Sequence, residues 1–145
     1  MLHKVYLSLG ANIGDRHASM SAALEMLENT VGRVVRQSSM IETEPWGFES
    51  ENMFLNMCVA VDTQLSPQQL LVATQEIERR LGRKAKSSGG VYADRLIDID
   101  ILLYDDISIN TPELTIPHPH MCERDFVMRP LMEILDDATV SAMFV

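Results

Sequence analysis

The chain of 145 residues has few cysteines, few basic residues and no long apolar run. Only Cys58 and Cys122 are present, which is too few for a disulfide framework, and we expect both to be reduced and buried in a cytoplasmic protein. No segment approaches the roughly 20 apolar residues that a membrane-spanning helix needs, and the N-terminus enters a strand-like pattern without a secretory signal. These absences disfavour a membrane protein and a disulfide-rich secreted protein.

The charge balance disfavours a nucleic-acid partner. The formal net charge is −9 because 21 Asp and Glu outnumber 12 Lys and Arg, whereas binding to a phosphate backbone needs a basic face. The length suits one domain spanning residues 1–145, long enough to bury a core and fold alone. We therefore expect a single-domain monomer without a membrane or nucleic-acid partner.

Periodic hydrophobicity predicts a compact α/β sandwich with a mixed or antiparallel sheet. Alternating apolar residues indicate strands at residues 5–9, 33–42 and 54–61, and a β-rich apolar run follows at residues 95–104. Neither a G-x-x-x-x-G-K-S/T loop nor a G-x-G-x-x-G loop occurs, which excludes the two nucleotide-binding folds that are most easily read from sequence.

Capping signals place two helices between these strands. One helical period covers residues 18–31 and ends at Gly32, which can stop a helix. The second helix begins at Ser66, which forms an S-x-x-Q capping box with Gln69, and it ends at Gly82, where a left-handed C-terminal cap belongs.

An acid lies near the apolar face of the second helix. Glu78 follows Ile77 in the last turn, where it is either an inward-facing carboxylate or a boundary residue that pairs with Arg79 or Lys84. The pattern leaves both readings open.

Two acids interrupt the apolar run at residues 95–104. Because strand side chains alternate between faces, Asp98 and Asp100 project the same way with α-carbons roughly 7 Å apart. Two such carboxylates repel each other unless a divalent cation or solvent compensates, so they indicate either a metal site or an exposed, solvated strand face. The opposite face is predicted to consist of Ile97, Ile99, Ile101 and Leu103.

The basic residues concentrate just before this acidic strand. Six of the 12 lie between residues 79 and 95, namely Arg79, Arg80, Arg83, Lys84, Lys86 and Arg95. A basic segment beside paired acids suits a magnesium-bound polyphosphate, since Mg²⁺ is commonly held by one or two carboxylates plus substrate phosphates. The alternative is a solvated, basic helix end favoured by the helix dipole.

The downstream segment at residues 114–120 is too rich in proline for a central strand and predicts an edge segment or rigid loop. It carries His118 and His120. These are candidate metal ligands, but without a third nearby ligand we favour one histidine contacting a phosphate, or an ordinary surface pair. Residues 121–135 predict a helix that is interrupted at Pro130.

Several segments together resemble the 6-hydroxymethyl-7,8-dihydropterin pyrophosphokinase family of folate biosynthesis. They occur in order across most of the chain and include the arginine-led pair of aspartates. The matching stretches are residues 7–15, 42–47, 54–57, 77–83, 95–103, 116–118 and 124–131.

The resemblance implies a ferredoxin-like αβα sandwich with a mixed, mainly antiparallel sheet. It also implies transfer of the terminal pyrophosphate of ATP to the hydroxymethyl oxygen of the pterin, leaving AMP. In that family pattern, Asp98 and Asp100 hold two Mg²⁺ ions that bridge the ATP phosphates and the reacting hydroxyl, as two-metal sites do for in-line displacement.

The resemblance also implies roles for individual residues. Arg83, Arg95, Asp98 and Asp100 are the catalytic positions. The positions that match the ATP site are Glu78, Arg83, Lys84, Lys86, Arg95, Ile99, His118 and Arg124, and those that match the pterin site are Thr43, Pro45, Trp46, Phe54, Asn56 and Phe126.

The basic segment departs from the family pattern. Tyr92 stands where a tryptophan is usual, Val91 lies near an expected arginine, and Pro119 follows His118 where an aromatic residue can occur. Family members also usually run further than Val145. These departures leave two other functions to test, namely a ligand-binding module without turnover and a ferredoxin-like interaction domain whose acids bind a structural ion.

Overall fold

The computed structural model describes residues 1–44, 52–82, 96–136 and 138–139, which form an antiparallel sheet with helices on both faces. No helix in these ranges combines the length and apolar character that crossing a membrane requires. The elements in chain order are β1 (His3–Ala11), α1 (Arg16–Thr30), β2 (Gly32–Gln37), β3 (Ile41–Thr43), β4 (Phe54–Thr63), α2 (Pro67–Arg80), β5 (Asp98–Tyr104), β6 (Ile109–Asn110), β7 (Thr115–Ile116), a 3-10 turn (Met121–Glu123) and α3 (Asp125–Ile134).

The main sheet has the strand order β2-β4-β1-β5, and the short β3 also pairs with β4. The pairings between its strands are antiparallel. Two long strands, β1 and β4, lie in the centre, and β5 forms one edge. This order, with helices connecting β1 to β2 and β4 to β5, is the ferredoxin-like arrangement that the resemblance implied.

The sheet separates two apolar cores. Because strand side chains alternate, one face of β1 and β4 packs against α1 and α2 and the other packs against α3. Leu7 and Met57 belong to the first core, whereas Tyr6 and Ala60 belong to the second. Burial of each large aliphatic side chain contributes about 1.5–3 kcal/mol, so the two cores together fix which face every strand residue presents.

The register of β5 changes at a bulge. Its pairing with β1 shifts between Tyr6 and Leu7, so Leu103 lies on the α3 side with Tyr6 instead of following Ile101. The prediction that Leu103 shares a face with Ile97, Ile99 and Ile101 is therefore wrong.

Helix α2 has the predicted caps. Ser66 Oγ accepts a hydrogen bond from the backbone N–H of Gln69 at 3.2 Å, and the Gln69 side chain accepts from the N–H of Ser66 at 2.9 Å. Gly82 has φ +108°, a left-handed value that only glycine adopts readily. The capping box and the C-terminal glycine are both confirmed.

The first helix ends just before Gly32, as predicted, but this glycine also meets a steric requirement of the sheet. Helix α1 ends at Thr30, and Gly32 is the first residue of β2. A Cβ atom at Gly32 would lie 2.0 Å from the carbonyl oxygen of Asp62 on the paired strand. The glycine is needed because β4 approaches closely.

The predicted strand at residues 33–42 is two strands separated near Ser38. The backbone N–H of Ser38 donates to the carbonyl of Cys58 at 2.9 Å, and its hydroxyl accepts from the N–H of Cys58 at 2.8 Å. A side chain thus replaces one backbone acceptor where β2 leaves the ladder.

Two further sequence predictions need correction. Pro130 lies inside α3, which continues through it to Ile134 instead of being interrupted. The helix lacks the backbone hydrogen bond that a proline cannot donate.

Both cysteines are free thiols, but only Cys58 is buried and Cys122 is exposed. Burial raises the pKa of the Cys58 thiol to about 12, so this thiol is inert at neutral pH.

Candidate active site

The paired acids lie at the beginning of β5 on the side of the sheet that faces α3. Asp98 is in register with Gly10 of β1, and Asp100 is in register with Ser8. Both side chains are half-buried, and they alternate along the chain with the buried Ile97, Ile99 and Ile101, which belong to the opposite core. The predicted alternation of acids and isoleucines is confirmed, and the two carboxylates share one face.

Glu78 holds the strand segment between these acids. Its Oε2 accepts a hydrogen bond from the backbone N–H of Ile99 at 2.8 Å, and its side chain is only 2% exposed. Arg79, by contrast, forms an ion pair with Glu76 on the helix surface. Of the two alternatives for Glu78, the inward-facing one is therefore confirmed, and its carboxylate orients the edge strand from the α2 side.

The backbone of His118 is hydrogen-bonded to β5. Its backbone N–H donates to the carbonyl of Leu102 at 3.0 Å, and its Nδ1 accepts from the backbone N–H of His120 at 3.2 Å. A neutral ring that accepts at Nδ1 carries its proton at Nε2. The segment after β7 therefore presents a neutral N–H donor beside β5.

The pKa of His118 supports this neutral form. This pKa is lowered to about 4, chiefly by burial and then by the positive charges of Arg124 and His120, while Asp98 acts in the opposite direction. The ring is therefore uncharged at pH 7, and Asp98, His118 and Arg124 are near enough to influence one another.

The histidines do not build a metal cage with the acids. Among the described residues, no group of three or more His, Cys, Asp or Glu side chains converges as a ligand set. His120 instead contacts Glu123, with 3.1 Å between Nδ1 and Oε2. Two hard carboxylates with solvent access suit Mg²⁺, which takes its remaining ligands from water and phosphate oxygens.

Arg124 and Phe126 lie at the beginning of α3. Arg124 is only 5% exposed, and its guanidinium carbon is 5.7 Å from the ring centre of Phe126. This distance is within the range of a cation–π contact. The contact between Arg124 and Phe126 therefore stabilises the positions of both side chains on the α3 side of the sheet.

A polar pair lies on the other side of Gly10. Asn56 of β4 is 2% exposed, and its Nδ2 donates to the hydroxyl of Thr43 on β3 at 2.6 Å. Asn56 and Asp98 are both in register with Gly10, one on each neighbouring strand. Asn56, Gly10 and Asp98 therefore lie side by side in one row across β4, β1 and β5.

Gly10 is a candidate site residue that the sequence analysis did not single out. A Cβ atom there would lie 2.9 Å from Asn56 Oδ1 and 3.5 Å from Cδ1 of Phe54. The absence of a side chain leaves room between Asn56 and the acids. A glycine inside an alternating strand is a signal of close approach that could have identified it.

Six predicted site residues lie outside the described residues. They are Pro45, Trp46, Arg83, Lys84, Lys86 and Arg95. The structure brings together the other predicted residues of the α3 side, which come from β3, β4, β5, the segment after β7 and the start of α3. The side chains of Glu78 and Ile99, by contrast, lie on the α2 side of β5.

The fold and this row of side chains define a ferredoxin-like α/β protein with an acidic site on one sheet face. Comparison with known proteins makes the assignment specific, because the model of the 7,8-dihydro-6-hydroxymethylpterin-pyrophosphokinase (HPPK) family matches residues 6–136. The chain belongs to this family.

Relatives of similar length carry the corresponding enzyme name, 2-amino-4-hydroxy-6-hydroxymethyldihydropteridine pyrophosphokinase. The protein from Porphyromonas gingivalis is 58% identical over 131 residues, which cover 90% of this chain and 89% of that protein. The Bacillus subtilis protein is 44% identical over 130 residues, covering 89% of this chain and 76% of the relative. The chain is therefore an enzyme of the transferase class, a kinase of this family.

Solved structures show the same fold at low identity. A Plasmodium falciparum HPPK-DHPS with SDX-DHP has a TM-score of 0.75 at 16% identity, covering 92% of this chain and 42% of that chain. An HPPK-DHPS in complex with substrates has a TM-score of 0.73 at 15% identity, covering 91% and 40%. The chain thus spans about two fifths of these two-part proteins, and the likeness confirms the fold.

Proposed function

We propose that this chain transfers the terminal pyrophosphate of ATP to the hydroxymethyl group of 6-hydroxymethyl-7,8-dihydropterin in folate biosynthesis, producing the pterin diphosphate and AMP. We further propose that residues 1–145 form one domain that acts as a cytoplasmic monomer. The observation that carries the activity is the row in which Gly10 separates the Asn56 amide from Asp98, because it places an amide-recognition group beside an acidic strand.

Asp98 and Asp100 are the residues that would hold two Mg²⁺ ions. Their shared face, partial exposure and hard oxygen donors fit that ion. When bound, Mg²⁺ neutralises phosphate charge and polarises the attacking and leaving oxygens. The contact from Glu78 to Ile99 keeps the intervening backbone in place, so the two carboxylates are held before substrate binds.

The phosphate and nucleotide side is assigned to the neighbouring donors. Neutral His118 offers Nε2–H to a phosphate oxygen, and buried Arg124 supplies a permanent positive charge on the same side. Arg83 and Arg95 are proposed to neutralise the charge that develops during transfer. The remaining ATP positions are Glu78, Lys84, Lys86 and Ile99.

The pterin side is assigned to the polar pair and its aromatic neighbours. The Asn56 amide offers one donor and one acceptor edge and is held by Thr43, which suits the amide-like edge of a pterin. Phe54 and Phe126 are proposed to contact the ring faces, as flat heterocycles require. Pro45 and Trp46 complete the proposed pocket.

The reaction needs no covalent enzyme intermediate. The hydroxymethyl oxygen forms a bond to the β-phosphorus of ATP, the bond from that phosphorus to the oxygen bridging the α-phosphate breaks, and AMP leaves with the electron pair. The hydroxyl proton passes to solvent. Catalysis by this chain then consists of positioning and of charge neutralisation, as is usual for phosphoryl-type transfer.

Phosphorus NMR of the purified chain with ATP, Mg²⁺ and 6-hydroxymethyl-7,8-dihydropterin tests the proposal. AMP and a pterin diphosphate are expected, with no turnover when Mg²⁺ is removed by a chelator. Formation of ADP would contradict pyrophosphate transfer. Binding of both substrates without AMP would favour the ligand-binding module, and absence of binding would favour the interaction domain.

A further inference from the structure

Arg16 connects the beginning of α1 to the hairpin of β3 and β4. Its Nη1 donates to the carbonyl oxygen of Met53 at 3.0 Å, and its Nη2 donates to the carboxylate of Glu42. The Arg16 side chain is 25% exposed, whereas that of Glu42 is 54% exposed. One guanidinium therefore holds the end of β3 and the residue that precedes β4.

These two anchor points adjoin the polar pair of the proposed pterin pocket. Glu42 precedes Thr43, and Met53 precedes Phe54, which is the register partner of Thr43. Thr43 in turn accepts the hydrogen bond from Asn56. The spacing of Thr43, Phe54 and Asn56 thus depends on how firmly this end of the hairpin is held.

Polar side chains predominate around a cavity beside the described residues at this end of the hairpin. An open cavity of about 450 Å³ lies beside Arg16, and it is bounded mainly by polar residues, including Asn12, Glu42 and Asn52. Asn12 adds a second polar link, since its Nδ2 is 3.4 Å from the carbonyl oxygen of Asn52. Directed polar contacts therefore connect the described residues here.

The position of Arg16 is otherwise unfavourable for a cation. It is the first residue of α1, next to the capping Asp15, where the helix dipole disfavours positive charge. The two acceptors on separate segments compensate for this. The forked guanidinium reaches both at once, which a lysine ammonium on a single stem does less well.

We propose that Arg16 is a positioning residue for the pterin pocket, acting through Glu42 and Met53 on the Thr43–Asn56 pair. This inference rests on the proposed function. Removing the guanidinium loosens the hairpin end, so pterin affinity falls, while the acids and the nucleotide side on β5 keep their geometry.

Steady-state kinetics and pterin fluorescence titrations of Arg16→Ala and Arg16→Lys test this inference. We expect Arg16→Ala to raise the KM and Kd for the pterin about tenfold, and Arg16→Lys about threefold because one contact is retained. The KM for ATP should stay within about twofold of the unaltered protein. An unchanged pterin KM in Arg16→Ala, or an equal rise in both KM values, would overturn the positioning role.

Lys4→Ala provides the matched control. It removes the Lys4–Asp136 ion pair at the opposite end of β1, so pterin and ATP kinetics should both be unaltered. A pterin defect in this variant as large as that in Arg16→Ala would show a general effect of ion-pair loss and contradict the inference.

Glu42→Ala removes one of the two acceptors of Arg16 and leaves the carbonyl of Met53 as the other. If Arg16 acts through Glu42, the double variant Arg16→Ala/Glu42→Ala should be no worse for pterin than Arg16→Ala alone. If the fold-changes in pterin KM of the two single variants multiplied in the double variant, the two residues would act independently. That result would contradict an action of Arg16 through Glu42. Turnover with normal pterin affinity in all Arg16 variants would overturn only the positioning role, whereas an unaltered protein that neither binds nor converts pterin would overturn the proposed function and this inference together.

Discussion

The Glu78 carboxylate and the Ile99 backbone connect α2 directly to the acid-bearing edge strand, with 2.8 Å between Glu78 Oε2 and Ile99 N. Ile99 lies between Asp98 and Asp100, so this contact sets the backbone of both acids. An edge strand has one row of backbone groups without strand partners, and Glu78 satisfies one of them from within the protein.

Glu78→Ala should lower the free energy of unfolding by about 2 kcal/mol, because it removes the acceptor of a buried N–H. Glu78→Gln keeps a side-chain oxygen and should lose less. Urea denaturation measures both, and Glu76→Ala on the exposed face of α2 is the control that should shift the midpoint much less. Equal midpoints for Glu78→Ala and Glu76→Ala would show that the buried contact does not stabilise the fold.

Asp98→Asn and Asp100→Asn should each lower turnover at least about 100-fold, since each removes a fixed negative charge on which the proposed metal-assisted transfer depends. Their unfolding midpoints should stay near that of the unaltered protein, because both side chains are only half-buried. The exposed Asp106→Asn serves as the control with normal turnover. Turnover within threefold of normal in either site variant would exclude that acid from the mechanism.

The pKa of His118 predicts a loss of stability on acidification. Its folded-state pKa of about 4 lies below its ordinary value of 6.5, so between these values the unfolded chain binds the extra proton. Stability therefore falls as the pH falls from about 6.5 to about 4. Urea midpoints across this range should fall more steeply for the unaltered protein than for His118→Gln.

The exposed His17→Gln is the control for this pH series, and it should retain the full slope. Carboxylates titrate in the same window, which is why the difference between variants is the relevant measurement. A slope in His118→Gln as steep as in the unaltered protein would contradict a neutral, buried His118.

Two glycines should respond differently to substitution by alanine. In Gly10→Ala the new Cβ meets the Asn56 side chain, which can move, so we expect a loss of about 1 kcal/mol and a weakened affinity for pterin. In Gly32→Ala the Cβ meets the backbone carbonyl of Asp62, which cannot move without breaking the β2–β4 pairing. That variant should lose about 3 kcal/mol.

Urea denaturation and pterin titration distinguish these two effects. Normal pterin affinity in Gly10→Ala would show that the space above Gly10 is not used by the ligand. A smaller stability loss in Gly32→Ala than in Gly10→Ala would contradict the distinction between backbone and side-chain neighbours.

Local signals accounted for the elements that were predicted well. The box of Ser66 and Gln69 and the cap at Gly82 depend on residues within a few positions of each other, so the chain carries the whole signal in one place. The shared face of Asp98 and Asp100 follows from strand periodicity alone. The ferredoxin-like fold, by contrast, came from the resemblance.

Longer-range effects caused the errors. Leu103 changes face because of a bulge against β1, and the break at Ser38 depends on a hydrogen bond to Cys58 on another strand. Pro130 stays helical because α3 packs against the sheet through neighbouring residues such as Val127 and Leu131. None of these partners is visible from the local pattern.

The sequence by itself determined the helix caps, the strand periods and the acidic pair, since these depend on local backbone chemistry and on side-chain alternation. Only the tertiary structure decided that Glu78 supports Ile99, that Gly10 lies between Asn56 and Asp98, and that Arg16 joins Glu42 to Met53. Glu78 and Ile99 are 21 positions apart, and Arg16 is 26 positions from Glu42 and 37 from Met53. Gly10 is 46 positions from Asn56 and 88 from Asp98, so each relationship depends on strand register or helix docking. Register and docking are set by burying both faces of the sheet together, which is a property of the whole core and not of any single segment.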